Sequence, residues 1–345
     1  MIAKKSLFII GTRPEIIKTY PLINSLKANV LFTGQHFDKK MSDSFFKYIT
    51  KSKIYKINKN YKLLSHNAIT NNIKNHIEKL DPSYVVVQGD TNSTLFGAVA
   101  AKYHNKKLFY IESGLRSDDL SQVEEYNRFI ISKLADINFC NHNSNVEALL
   151  KEGVNKKNIY LSGSTVFAAL NPIIKDIKNN GKLKTKNFIL LTLHRPSNTD
   201  NMENFLNVLT NLNSLGEELI FPIHPRINDK KILSKIGKLN NIKTIEPMNY
   251  ERFIEYCIQS KFIISDSGGL QEESAILNKT LIIPRKYTER PELLKINNVL
   301  AKNVNEIVKL SKLALNNRLP IEENKLLYGK EEVIDKMKKK IFSSI

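Results

Sequence analysis

"YVVVQGDTNSTLFGAVAAKYHNKKLFYIE", residues 84–112, decides the fold. It opens on a β-branched run, turns at Gly89-Asp90, and passes through an Ala-rich stretch that Thr91 to Thr94 open in the manner of a helix start. It closes on a second apolar run that ends in Glu112. Strand, helix and strand at this spacing form a crossover unit, in which the helix returns the chain so that the second strand lies parallel to the first.

The same alternation extends in both directions. Strands are expected at 7–10, 29–33, 84–88, 108–112, 137–140 and 159–163. After a polar stretch, "KNNGKLKTKN" (178–187), the series restarts at 188–193, 219–223, 243–246, 262–265 and 280–284. Helices are expected at 14–27, 91–103, 143–152, 201–214, 249–257 and 270–277. The restart predicts an α/β protein of two doubly wound domains, 1–170 and 171–325, facing a central cleft. The remaining segment, 326–345, carries an amphipathic basic helix (about 330–342) expected to pack back on the first domain. A length of 345 residues suits two such domains.

Composition narrows the function. Hydrophobic content is 41%, enough for two cores. No run approaches the roughly 18–20 uncharged apolar residues of a membrane span. "MIAKKSLFII" leads straight into Gly-Thr-Arg-Pro and reads as a buried first strand and not as a signal peptide, so a cytoplasmic protein is expected. Cys140 and Cys257 lie inside apolar segments and are expected to be reduced core cysteines. The net charge of +19 comes from scattered lysines, with no helix-turn-helix, zinc-finger or aromatic-plus-basic signature, so nucleic acid is not an expected partner. An anionic small molecule would suit part of that charge.

Ligands of doubly wound sheets bind at the carboxyl ends of strands, so the polar groups there are the informative ones. In "IIGTRPEIIK" (9–18), Gly11 allows a tight turn, Thr12 suits a helix cap and Pro14 its first turn. Arg13 and Lys18 then stand near a helix N-terminus, where cations oppose the dipole unless an anion is bound. Asp90 follows its strand through Gly89, a position that N-capping alone would also explain. Glu112 ends an apolar strand, where an unpaired carboxylate is costly; an ion pair with Arg116 is the bland alternative. Glu124 and Arg128 in "VEEYNR" are four apart, on one face of a helix. In the second half, His194 and Arg195 follow a buried strand, while "FPIHPR" (221–226) favours a plain structural role. In "FIISDSGGLQEES" (262–274), Ser267, Gly268 and Gly269 open a helix whose N–H groups attract phosphate, and Glu273 is placed to accept from a ribose diol. Arg290 of "KYTERPE" is a candidate partner for phosphate oxygens. Walker A and G-x-G-x-x-G motifs are both lacking, which argues against ATP at a P-loop and NAD in its usual seat.

The ordered set "GTRPE", "TGQH", "QGDTNST", "IESGLR", "EEYNR", "HRPSNTDN", "DSGGLQEES" and "TERPE" resembles the non-hydrolysing UDP-N-acetylglucosamine 2-epimerase family over residues 6–315. The resemblance implies two Rossmann-like domains of the GT-B type, a homodimer, and interconversion of UDP-GlcNAc and UDP-ManNAc without organic cofactor or required metal. It implies elimination of UDP to a 2-acetamidoglucal, re-addition after proton transfer at C2, and a place in surface polysaccharide precursor synthesis. It places Asp90, Glu112 and Glu124 among the proton-transfer and sugar-binding carboxylates, without dividing acid from base, and groups Lys18 and His194 with the catalytic set. Arg13, Lys18, Arg128, His194 and Arg290 match positions that hold or balance phosphates. Ser267, Gly268, Gly269 and Glu273 match the UDP seat, and Phe253 a position beside the uracil. The family's Pro before the Glu-Glu pair is Val123 here, and "FDKKMSDSFF" (37–46) departs from the common pattern, so a second, regulatory UDP-GlcNAc site is not expected. The "HRPSNTDN" form also resembles relatives acting on UDP-diacetamido uronic acids. The other activities compatible with these residues are a hydrolysing epimerase that releases ManNAc and UDP, a GT-B glycosyltransferase, and a non-catalytic UDP-sugar sensor.

Overall fold

A computed structural model describes residues 6–35, 45–57, 64–117, 119–181, 186–224, 227, 229–294, 296–319 and 327–345. His36 of "TGQH", most of "FDKKMSDSFF", the centre of the polar stretch (182–185) and Pro225-Arg226 lie outside the described residues. The chain divides into two compact units, Met1–Ala169 with Leu327–Ile345, and Leu170–Leu326.

The first unit holds a parallel sheet of β1 (Ser6–Ile10), β2 (Asn29–Phe32), β3 (Ile54–Lys56), β4 (Tyr84–Gln88), β5 (Lys107–Ile111), β6 (Ile137–Cys140) and β7 (Ile159–Leu161). Their order is β3-β2-β1-β4-β5-β6-β7, so the direction of winding reverses between β1 and β4. The central strands are covered on both faces, which explains their continuous apolar character. Val86 of β4 lies opposite Phe8 on one side and Phe109 on the other, and all three are buried.

Two helices of this unit carry signals that alternation alone does not reveal. His66–Leu80 buries only Ile69, Ile73 and Ile77, a narrow i,i+4 stripe in an Asn- and Lys-rich segment, and Ser65 caps it by accepting from the Ala68 N–H at 3.2 Å. Glu332–Ser344 packs on Arg13–Leu26 through buried Val333, Met337 and Ile341. The segment before it is tied down at Gly163, where the Ser164 N–H donates to the Tyr328 carbonyl at 2.8 Å. A Cβ on Gly163 would stand 2.3 Å from that oxygen, and its φ of +89° is the left-handed region.

The second unit holds β8 (Ile189–Thr192), β9 (Leu219–Pro222), β10 (Ile242–Ile245), β11 (Ile263–Ser265), β12 (Leu281–Ile283) and β13 (Asn298–Leu300). The order β10-β9-β8-β11-β12-β13 is again parallel and reverses between β8 and β11. Phe205, Leu209 and Leu212 of the helix Met202–Asn213 are fully buried in its core with Phe221, Phe262 and Ile264. Such side chains each contribute about 1.5–3 kcal/mol on burial.

Among the described residues no helix is long and apolar enough to cross a membrane. Cys140 and Cys257 are free and buried, and burial pushes the Cys140 thiol up to about 12.

The strand expected over 108–112 stops at Ile111, because Glu112 turns out of the sheet with φ +65°. The edge strands β3 and β13 were not expected. Each is a three-residue strand preceded by Lys or Asn, so no longer apolar run marks it.

Candidate active site

Several of the polar groups named at strand ends lie beyond the strands that flank the reversal of each sheet, where open α/β sheets form crevices. In the first unit this is the ground beyond β1 and β4. Gly11 leaves β1 beside Ser93, whose hydroxyl oxygen would stand 2.2 Å from a Cβ on Gly11. The helix Arg13–Leu26 then begins, and Glu15 folds back over its start. Glu15 accepts from the Gly11 N–H at 2.8 Å and from the Thr12 hydroxyl at 2.8 Å. Thr12 therefore does not cap the helix with its own side chain, as its residue type suggested. Glu15 is buried, and burial raises its carboxyl to about 7 against the lowering effect of the Gly11, Thr12 and Thr91 hydrogen bonds. Glu15 thus ties down the turn that leads into the helix. Arg13 lies 5.9 Å from the Phe45 ring centroid, a cation–π contact.

One turn on, Lys18 Nζ meets Glu112 Oε1 at 2.5 Å. Glu112 also accepts from the Gln88 side-chain amide at the end of β4, and only 5% of it is exposed. The alternative pair Glu112–Arg116 does not form: Arg116 makes a two-pronged contact with Glu152, at 2.7 and 2.8 Å. A glutamate at positive φ is an uncommon, strained conformation that persists only where surrounding contacts enforce it. Here Lys18 and Gln88 supply those contacts.

Asp90 is half-buried and accepts from Arg128 Nη2. Its backbone carbonyl accepts from Asn127 Nδ2 at 2.9 Å. Arg128 is buried on the helix Val123–Leu134, and its other terminal nitrogen donates to Glu125 at 2.6 Å. Glu125 is fixed in turn by the Ser117 N–H and hydroxyl. This corrects the expected Glu124–Arg128 pair. Glu125, three residues before Arg128, is the buried partner, while Glu124 is exposed in the helix's first turn. The signal was present in the adjacent Glu125, since i,i+3 spacing serves as well as i,i+4.

In the second unit the ground beyond β8 and β11 is organised by Asp266, which is fully buried. Its Oδ2 accepts from the His194 N–H at 3.0 Å, the Arg195 N–H at 2.9 Å and Asn198 Nδ2 at 2.9 Å. Its Oδ1 lies 3.0 Å from Nδ1 of the His194 ring. Burial alone would raise this carboxyl, but the His194 ring, Asn198 and the Arg195 N–H outweigh it and hold it below its ordinary value. His224 stacks on His194 with ring centroids 5.3 Å apart. Neither Asp266 nor the stack was anticipated. A carboxylate directly after an apolar strand was the available sign.

The helix Gly268–Ile276 follows β11, and Ser267 makes no side-chain cap to it. A Cβ on Gly268 would stand 2.4 Å from Glu289 Oε1, whereas one on Gly269 would meet nothing within 4 Å. The two carboxylates one turn on part company. Glu273 accepts from the Tyr250 hydroxyl at 2.5 Å, and Phe253 of that same helix, Tyr250–Gln259, packs against the buried Cys257 cluster. Glu272 is fully buried and accepts from Arg290 Nε at 2.7 Å. Arg290 Nη1 reaches Glu289 at 2.9 Å, and Arg285 lies 3.0 Å from the same carboxylate. Arg290 was expected to face phosphate oxygens. It is instead 3% exposed and ion-paired to two carboxylates, an internal tie beneath the glycine turn.

With this geometry in view, the chain can be compared with known proteins. A family model described as UDP-N-acetylglucosamine 2-epimerase matches residues 22–341. The UDP-N-acetylglucosamine 2-epimerase of Methanococcus maripaludis is 38% identical over 317 residues, covering 85% of this chain and 86% of the relative. A UDP-2,3-diacetamido-2,3-dideoxy-D-glucuronate 2-epimerase of Pseudomonas aeruginosa is 31% identical over 354 residues, covering 94% and 96%. The crystal structure of UDP-GlcNAc 2-epimerase from Neisseria meningitidis bound to UDP-GlcNAc superposes with a TM-score of 0.88 at 27% identity, covering 98% of this chain and 100% of that one.

Proposed function

The chain belongs to the UDP-N-acetylglucosamine 2-epimerase family, and on that premise we propose that it is an isomerase that inverts C2 of UDP-N-acetylglucosamine by eliminating and re-adding UDP. The C2 hydrogen is not adjacent to a carbonyl, so a base alone cannot remove it readily. Departure of the diphosphate breaks the C1–O bond and takes its electron pair. A carboxylate takes the C2 proton, and the C–H pair becomes the C1=C2 bond of a 2-acetamidoglucal. Protonation of C2 from the opposite face, with return of a UDP oxygen to C1, gives UDP-N-acetylmannosamine. Such a path needs positioned carboxylates for the proton and fixed positive charge for the leaving group.

We assign the proton chemistry to Asp90, Glu112 and Glu124 of the first unit, with Lys18 and Arg128 balancing charge and Arg13 facing the phosphates. We assign the nucleotide to the second unit: diphosphate to His194 and the turn Ser267-Gly268-Gly269, ribose to Glu273, uracil to the neighbourhood of Phe253. The observation that carries this assignment is Glu112, a buried glutamate at φ +65° ion-paired to Lys18 at the reversal of the sheet. Strain of that kind points to a functional constraint. A second substrate, a UDP-diacetamido uronic acid, is favoured by the Pseudomonas aeruginosa relative and by the "HRPSNTDN" form.

We further propose a homodimer. Val99 and Tyr103 of the helix Asn92–Tyr103, and Val123, Tyr126 and Ile130 of the helix Val123–Leu134, are exposed on two helices that pack together, an apolar face suited to a second copy. A cytoplasmic supply of surface polysaccharide precursors is the role we assign to the product. Incubation with UDP-GlcNAc in D₂O tests the reaction: deuterium at C2 and formation of UDP-ManNAc are expected. Absence of C2 exchange with both UDP-GlcNAc and the diacetamido uronate would overturn it.

A further inference from the structure

We propose that Asp266 is a positioning residue that keeps the proton on Nδ1 of His194 and so commits Nε2 of that ring to the diphosphate. The inference deepens the assignment of His194 to the leaving group and rests on it. Its structural footing lies wholly within the second unit.

Asp266 joins the two strands that flank the reversal of the sheet. It follows β11, while the partners of its carboxylate follow β8, 68 to 72 positions earlier. The two carboxylate oxygens do different work. Oδ2 is taken by three donors that have no alternative protonation state, the His194 and Arg195 N–H groups and the Asn198 amide. Oδ1 receives the His194 N–H at 3.2 Å and faces Nδ1 of the same ring at 3.0 Å. Those amides hold Asp266 as an acceptor, and an ionised carboxylate has only acceptors to offer. The ring nitrogen that faces it must therefore carry a proton, in the neutral and in the charged imidazole alike. Nε2 is then the nitrogen that changes state. Neutral, it accepts a proton; charged, it donates to an oxygen of the departing diphosphate. The stack with His224 fixes the plane of the ring, so that Nε2 is held in one direction.

The arrangement makes a specific statement about Asp266→Asn. An Asn side chain has one oxygen, and three donors converge where Oδ2 now stands. The oxygen therefore takes that place and the NH₂ group faces Nδ1. The ring must shed its Nδ1 proton to accept from it, and the neutral tautomer reverses. An Asn in place of the Asp of an Asp–His pair is known to impair catalysis this way, by about 10⁴-fold in a hydrolase triad.

The test uses the full chain labelled with ¹⁵N-histidine, with the His194 signals identified by their loss in His194→Gln. Long-range ¹H–¹⁵N spectra of the native protein should show Nδ1 protonated across the pH range in which the protein is folded. A native His194 with bare Nδ1 overturns the proposal whatever the variants do. In Asp266→Asn the neutral ring should become Nε2-protonated, with kcat for epimerisation reduced about 10²-fold or more and the KM for UDP-GlcNAc changed far less. A folded Asp266→Asn that keeps the native tautomer while losing activity also overturns it. Should Asp266→Asn not fold, the native spectrum decides. Failure of the underlying assignment has a separate signature: His194→Gln would then turn over as fast as the native enzyme, while the tautomer measurement stood.

Discussion

Lys18 Nζ and Glu112 Oε1 lie 2.5 Å apart although 94 positions separate them in the chain. The contact joins the helix after β1 to the residue that leaves β5, and it holds Glu112 in a left-handed conformation. Two variants separate backbone strain from chemistry. Glu112→Ala and Glu112→Gly both remove the Lys18–Glu112 contact, but only glycine is at ease at φ +65°. Glu112→Gly should be the more stable of the two by about 1 kcal/mol in urea unfolding, reversing the usual ranking of Ala and Gly. Glu112→Gln keeps the shape and one acceptor oxygen but loses the charge, and should lower kcat by at least about 10²-fold while remaining folded. Near-native turnover in Glu112→Gln would remove Glu112 from the chemistry.

Glu15 makes stability depend on pH in a defined window. Burial raises its carboxyl from 4.5 to about 7 in the folded chain, so between those values the native state holds a proton that the unfolded chain releases. Its contribution is complete below 4.5 and is lost as the pH rises through about 7. The loss is at most about 3 kcal/mol. Glu15→Gln keeps an acceptor for the Gly11 N–H and a donor for the Thr12 hydroxyl, and cannot ionise. Relative to the native chain, the variant should gain stability between pH 5 and pH 8, measured by urea unfolding at each. A gap that does not change with pH would show that Glu15 does not titrate in this window.

Strands β4 and β6 coincide with their expectation from the sequence because each is a buried, β-branched or apolar run bounded by polar residues. That signal is local. The strand-end residues were legible for the same reason, since Gly89-Asp90, His194-Arg195 and Ser267-Gly268-Gly269 interrupt apolar runs. What they touch was not legible. Asp266 meets His194 over 72 positions, Glu112 meets Lys18 over 94 and Arg290 meets Glu272 over 18, and pairing over such distances leaves no periodicity to read. Glu15 had a nearer sign in Thr12-x-x-Glu15, the spacing of a capping box, although no box forms: the Thr12 hydroxyl donates to Glu15 and does not cap the helix. Glu125 was hidden by its neighbour, because two adjacent glutamates offer two faces of one helix and the sequence does not say which is buried.

Arg290 should behave as a structural tie. Its removal takes the Arg290 guanidinium away from Glu272, which is fully buried. Breaking a buried pair from one side costs about 3–5 kcal/mol. Arg290→Met should lose stability on that scale in urea unfolding, and Arg290→Met with Glu272→Gln should recover part of the loss. If Arg290→Met is as stable as the native chain and only UDP binding fails, Arg290 serves the ligand directly.

Gly268 and Gly269 are adjacent in one turn, yet their substitutions should fail in different assays. A Cβ at Gly268 would press on Glu289 Oε1 at 2.4 Å. That carboxylate cannot swing away cheaply, because it is buried and held by both Arg285 and Arg290. Gly268→Ala should therefore destabilise the folded protein by about 1–3 kcal/mol even with no ligand present. A Cβ at Gly269 meets nothing within 4 Å, and the residue sits in the first turn of the helix Gly268–Ile276. Gly269→Ala should leave stability unchanged or raise it by up to about 1 kcal/mol, since alanine loses less entropy in a helix. If the bare backbone at Gly269 exists to admit a diphosphate, that same variant should bind UDP at least about tenfold more weakly in calorimetry, despite its intact fold. Native UDP affinity in Gly269→Ala would move the phosphate seat away from this turn.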